Sequence, residues 1–352
     1  MESSSTGPVR GTRGRVTLQI IADVLDVSTA TVSLALRNAP VVAEATRRRV
    51  QDAARELGYT YNRGAAALRT ARSDMLAVAL PDVAVPDHAA ILGAVEDAAR
   101  EAGRTILLGT TAEDLTRQEQ VLAMLGEFRP DGLLIAPAGG TPAAALYQLV
   151  AAGIPVVQVS REVEGLAFDY VGSDDAAAAC LAVEHLLDLG HRRIGMIGGA
   201  DGVSGHRVRR RAFCEALQRA GVPIDCDWLI DGYGSRETGI EGVGRLLALP
   251  GAPTAVMCVD DLTALGAMIG LARAGRRPGL DLSILGCGDA PEAAVSEPRL
   301  STVRAHHGAV GRRAAEVLMR RIAEPEAARE RHLIAPELVI RASCGRLERA
   351  AA

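Results

Sequence analysis

A chain of 352 residues, 48% hydrophobic and 23% charged, has room for a small domain plus one large or two medium ones with ample core, and this excludes a disordered or fibrous polypeptide. The net charge of −4 is unevenly placed: residues 1–72 hold eleven Arg against six Asp or Glu, so a head of +5 joins a body of −9. That asymmetry suits a protein of which only the head meets a polyanion, and the lack of a signal-like or membrane-spanning apolar run points to the cytoplasm.

All 39 cations are Arg, a side chain suited to phosphate and guanine contacts. The six cysteines form no CxxC pair and fall mostly in apolar runs, so buried free thiols are expected, with no metal and no cofactor. Residues 1–15, rich in Ser, Gly, Thr and Arg, read as a mobile arm.

From Val16 to Leu68 the pattern predicts three short helices, a tight turn and a fourth helix. Ile21, Ala22, Val24 and Leu25 recur at helical spacing, Asp26-Val27-Ser28 breaks the run, and Thr29 to Leu36 resumes it, which outlines a helix-turn-helix. Thr17 and Ser28 are the expected N-caps, because short hydroxyl side chains accept from the unpaired amides of a first turn. Val32 and Leu36 should face inward with Ala22 and Leu25, leaving Thr29, Ala30 and Ser33 outward, small enough for a helix to enter a major groove. Glu44 to Leu57 is the third helix, with Ala45, Val50, Ala53, Ala54 and Leu57 closing the small core.

Val16-Thr17-Leu18, Ala22-Asp23-Val24, Val27-Ser28, Thr31-Val32-Ser33, Thr46-Arg47, Arg49-Val50, Leu57-Gly58-Tyr59 and Asn62-Arg63 stand in an order and spacing that resemble the head of the lactose-repressor (LacI/GalR) family. The resemblance implies DNA contacts from Thr17, Leu18, Ser28, Thr29, Ala30, Thr31, Ser33, Asn38, Thr46 and Tyr59. It also implies contacts from Asn62, Arg63, Ala65 and Leu68 in a hinge helix over 62–72, where Leu68 would wedge into the minor groove and bend the duplex. Two positions depart from the family pattern: Leu34 stands where many relatives have Arg, and Tyr61 where they have Pro.

From Met75 onward apolar strands alternate with helices, the signature of parallel sheets covered on both faces. The fold class is α/β: an all-α helix-turn-helix head over 16–61, then a two-lobed core of doubly wound parallel sheets over 73–352. The core resembles the periplasmic-binding-protein type I fold, which implies three crossings between lobes. The expected bounds are 73–162 with 302–325 for the first lobe, and 163–301 with 326–345 for the second. Ligands of open parallel sheets sit beyond the carboxyl ends of strands, here the cleft between lobes.

The family's ligand positions fall on Ser160-Arg161, Arg209, Asp260 and Gly288. Arg209, with Arg207 as its rival, offers a fork of donors for hydroxyls or an anion. Asp260 serves equally as a helix cap. Gly288 replaces a ligand-gripping Asp, with Asp289 offset by one, so the effector is open between a sugar and another small polar or anionic metabolite. Asp87 and His88, in the loop after the first strand, are candidates to line the cleft, with the surface-loop reading favoured.

Gly198-Gly199-Ala200-Asp201-Gly202 lacks a Walker Lys, and His191, His306 and His307 have no partners at metal-ligand spacing. No nucleophile elbow is visible. The expectation is therefore a non-enzymatic, sequence-specific DNA-binding transcriptional regulator, a repressor. It would bind a near-palindromic double-stranded operator as a homodimer and answer to a small molecule in the cleft, with no membrane partner. A solute-binding module or a sugar or nucleoside enzyme on the same core are the rivals.

Overall fold

A computed structural model describes residues 16–59, 72–199 and 202–347. The hinge residues Asn62, Arg63, Ala65 and Leu68 lie outside the described residues, as does the arm. The chain divides into two compact units between Ser73 and Asp74.

In the first unit α1 (Leu18–Leu25), α2 (Thr29–Leu36) and α3 (Glu44–Glu56) follow in order. Helix α1 stops where Asp26 adopts a left-handed φ of 54° and returns its amide to the Ala22 carbonyl. The chain then turns through 107° into α2, the range of a helix-turn-helix. Ile21, Ala22, Val32, Ala35, Val42, Val50, Ala53 and Ala54 form its core. Fully burying Ile21, Val32 and Val50 is worth roughly 1.5–3 kcal/mol each.

Leu25 and Leu36 pack against this core half-buried, facing inward as expected, beside the fully buried Ala35. Two expectations are corrected here. Ala45 is exposed, because five residues before Val50 it falls off the Val50, Ala53, Ala54 stripe. Ser33 is buried, one residue from Val32 and beneath Arg37, whose Nε donates to the Ser33 carbonyl at 3.2 Å.

The second unit runs β1 (Met75–Leu80), α4 (Pro86–Glu101), β2 (Thr105–Thr110), α5 (Leu115–Glu127), β3 (Gly132–Ile135), α6 (Ala143–Ala151), β4 (Val156–Val159) and β5 (Asp169–Ser173). It continues with α7 (Asp175–Asp188), β6 (Ile194–Ile197), α8 (Ser204–Arg219), β7 (Leu229–Ile230), α9 (Arg236–Leu247), β8 (Ala255–Cys258), α10 (Asp261–Arg273) and β9 (Ser283–Gly288). The last elements are α11 (Pro291–Val295), β10 (Ser301–Arg304), α12 (His307–Ala323), β11 (Arg331–Ile334) and β12 (Glu337–Val339).

Two six-stranded sheets result, ordered β11-β5-β4-β3-β1-β2 and β12-β10-β9-β8-β6-β7. All neighbours pair in parallel except β12 on β10. Strands such as Met75–Leu80 are continuous apolar runs because helices cover both faces. Helix α12 returns to the first sheet, burying Val310, Ala314 and Leu318 against Leu76, Val78 and Ile91.

The lobe bounds need correction. Asp169–Ser173 belongs to the first sheet, in register with β4 and β11, so the first crossing follows Ser173. Ser301–Arg304 belongs to the second sheet and Arg331–Ile334 to the first. Apolar pattern reports burial but not which sheet is entered; here a buried ion pair decides. Arg321 on α12 donates to both oxygens of the fully buried Asp169, at 2.8 and 3.0 Å, and the Glu330 amide donates to Asp169 as well.

Candidate functional site

Thr17 caps α1, its Oγ1 accepting from the Ile20 amide at 3.4 Å, and Ser28 caps α2, accepting from the Thr31 amide at 3.0 Å. Ser28 Oγ also lies 2.8 Å from Thr31 Oγ1, so Thr31 is committed locally. Ser28, Thr29 and Ala30 are exposed at the first turn of α2. Unpaired amides and the positive end of the helix dipole make that turn attractive to phosphate.

Asn38 is exposed with a left-handed φ of 57°, and its Oδ1 accepts from Gln51 Nε2 at 2.8 Å, tying the loop after α2 to α3. Thr46 is half-buried in the first turn of α3. Leu18 and Tyr59 pack against the head core, and Ser33 is buried. The α2 start is thus an exposed hydroxyl and methyl surface, with packing residues behind it.

In the second unit a cleft of about 390 Å³ opens between the lobes. Every wall segment follows a strand's carboxyl end, as parallel topology dictates. Asp87 and His88 stand in the first turn of α4, Ser160 and Arg161 follow β4, Asp175 opens α7, Arg209 lies on α8, Asp260 follows β8, and His307 begins α12. Asp87 and His88 are therefore helix residues inside the cleft, a correction to the surface-loop reading.

Arg209 is buried, its Nε donating to Asp175 Oδ1 at 2.9 Å and its Nη1 to the Val259 carbonyl at 2.6 Å. Burial opposes the guanidinium charge, but Asp175 and its other anionic neighbours outweigh it and raise the pKa. The rival Arg207 is exposed and pairs with Glu164 at 2.6 Å. Arg161 pairs with Glu113. Ser160 sits half-buried with φ 61°, its carbonyl accepting from Tyr170 Oη at 3.3 Å.

Asp260 caps α10 by accepting the Thr263 amide at 2.8 Å, and its side of the loop lines the cleft. Burial pushes its pKa up. Asp261 is buried, accepting from Thr302 Oγ1 and the Ala290 amide, each at 2.6 Å, and burial pushes its pKa up to about 7. Gly288 does not line the cavity. Its φ is 135°, and a Cβ there would lie 3.0 Å from Asp87 Oδ1, so the first lobe's carboxylate occupies the space a side chain at 288 would fill. Asp289 turns away to Arg304 and Arg341, at 2.8 and 2.6 Å.

Asp175, His206 and His307 were missed as wall residues. The available signal was position, just past a strand or in a helix first turn. His307 is 8% exposed, with Nε2 3.2 Å from Asp87 Oδ2 and Nδ1 without a hydrogen-bond partner. Cys226 is exposed, against the expectation of buried thiols, because it falls in a surface turn rather than a core run.

A helix-turn-helix unit followed by a two-lobed, doubly wound core with a polar cleft defines a ligand-responsive DNA-binding regulator. The profile of bacterial regulatory proteins, lacI family, matches residues 17–62, and that of the periplasmic binding protein-like domain matches 183–344. The chain is 30% identical to the HTH-type transcriptional regulator DegA of Bacillus subtilis (strain 168), over 94% of this chain and 98% of the relative. It is 31% identical to the HTH-type transcriptional repressor CytR of Escherichia coli (strain K12), over 93% and 96%. Among solved structures it resembles the lac repressor dimer bound to operator and the anti-inducer ONPF (TM-score 0.82, 26% identity, 94% and 99% covered). It also resembles the transcriptional regulator CelR-cellobiose complex (TM-score 0.72, 28% identity, 94% and 100% covered). The chain belongs to the lacI family of bacterial transcriptional regulators.

Proposed function

We propose that this regulator is a cytoplasmic repressor, bound to the nucleoid, that occupies a near-palindromic operator as a homodimer and is released or recruited by a small molecule in the inter-lobe cleft. The observation that carries this reading is the Ser28-capped, exposed first turn of α2 on a chain whose second unit encloses a polar cleft. Thr29 and Ala30 would read bases through a hydroxyl and a methyl, and the hinge with Leu68 would enter the minor groove between half-sites. Coupling between ligand and operator is a free energy of about 1–3 kcal/mol, reciprocal between the two sites.

Footprinting of the purified chain on genomic DNA tests this. Two symmetric protected half-sites flanking a central pair of bases sensitive to minor-groove probes are expected. A single asymmetric footprint, or none, would reject the dimeric operator reading.

A further inference from the structure

The cleft has an unbalanced charge. Five carboxylates line it, from Asp82, Asp87, Glu113, Asp175 and Asp260, against the guanidiniums of Arg161 and Arg209. Both cations already have partners: Arg161 pairs with Glu113, and Arg209 with Asp175 and the Val259 carbonyl. Asp82 is exposed at the rim and accepts the Ala84 amide. That leaves Asp87 from the first lobe and Asp260 from the second.

Of these two, only Asp87 has a histidine beside it: burial opposes its charge, but His307 and Arg209 outweigh that and lower its pKa. Burial lowers the pKa of His88 and takes that of His206 well below the ordinary value, which disfavours the charged ring in both. His307 Nε2 stands beside Asp87. Asp260 forms no ion pair among the described residues, and it accepts from the uncharged Thr263 amide. Two carboxylates brought from opposite lobes into a poorly solvated cavity repel, and both lose hydration. A cation placed between them offsets both costs; a neutral ligand leaves them, and an anion adds to them.

A second feature points to a ligand. His307 is more than nine-tenths buried and lines the cavity with Nδ1 unpartnered, and His206 Nδ1 is likewise buried without a partner. Such atoms need a hydrogen bond that a ligand hydroxyl or amine supplies.

We propose that the ligand of this cleft is a small polar molecule carrying a protonated amine, seated between Asp87 and Asp260 with a hydroxyl or second nitrogen on His307. This rests on the cleft being the effector site. Of the effectors the sequence left open, this disfavours an anionic metabolite, because the arginines there serve neighbouring carboxylates.

Calorimetric titration of the full chain at neutral pH with matched probes tests the assignment. The probes are glucosamine, galactosamine and putrescine as amines, glucose and galactose as neutral parents, and glucuronate and galacturonate as acids. An amine should bind at least about tenfold more tightly than any neutral or acidic probe, and Asp260→Asn should remove most of that preference. Asn is also a good N-cap, so this variant keeps α10 intact. Whether the best probe is an amino sugar or putrescine identifies the source of the amine. Tightest binding by a neutral or acidic probe, abolished by His307→Ala, would overturn the amine assignment while leaving the effector site standing. If no probe binds, both readings fall.

Discussion

Asp175 and Arg209 form an ion pair within the wall of the second lobe, 2.9 Å apart and almost completely buried, tying the start of α7 to α8. Arg209 is therefore a structural member of the cleft before it is a ligand contact. Arg209→Ala leaves Asp175 buried without its partner and should cost about 3–5 kcal/mol in urea unfolding of the core. At temperatures where the variant remains folded, effector response should be lost and DNA binding kept. An unfolding midpoint equal to wild type would contradict the structural role, and an unchanged response would remove Arg209 from the ligand site.

Gly288 and Asp87 approach across the lobes, and the glycine sits at φ 135°, where a side chain is strained whatever the space. Gly288→Ala should destabilise by about 1–3 kcal/mol from backbone strain, with a further loss from the Asp87 contact. Asp87→Ala made in the same chain should recover only the second part, giving a clear coupling in the double-mutant cycle. Strictly additive losses would place Asp87 away from position 288.

Asp261 gives a pH signature. Its folded pKa is raised to about 7 by burial, above its ordinary value of 3.8. The folded state therefore holds a proton that the unfolded state releases, and this stabilising contribution is present at low pH and lost as pH rises toward 7. In Asp261→Asn the group no longer titrates. The variant's stability relative to wild type should rise by up to about 1.4 kcal/mol per pH unit between pH 5 and 7, then level off. A difference that stays flat across that window in denaturant titrations would show that Asp261 is ionised throughout.

How far the chain could be read from its residues differed between its parts. The head was legible because caps and turn act locally: Thr17 and Ser28 cap as their positions require, and Asp26 breaks the helix where the apolar spacing fails. Strands β1, β6 and β8 were legible as unbroken apolar runs. The hydroxyl-rich Ser301–Arg304 and the half-exposed Arg331–Ile334 carry no such signal. The cleft was half legible. Family spacing found Ser160, Arg161, Arg209 and Asp260, whereas Asp87 reaching into the space beside Gly288 is a contact between lobes that no local pattern encodes.

The hinge yields a prediction from sequence and family likeness. Leu68→Ala should weaken specific operator binding by about tenfold or more while leaving weak non-specific binding in place, since an apolar wedge contributes only where the duplex is kinked. Gel-shift titrations on operator and scrambled duplexes check this, and equal losses on both would reject the wedge.

Among residues 16–59 five Arg face five Asp or Glu, so the +5 of residues 1–72 comes from the arm and hinge on either side. On the proposed reading, α2 would contribute base discrimination and the flanks most of the salt dependence. The most direct measurement is binding of the full chain to its footprinted site and to a scrambled duplex across a salt series. The expected result is a site preference of about 10³-fold or more at physiological salt. Both affinities should fall steeply with salt, by a log-log slope of about −0.9 for each neutralised phosphate. Equal affinity for the two duplexes at moderate salt would contradict the assignment of this protein as a sequence-specific regulator.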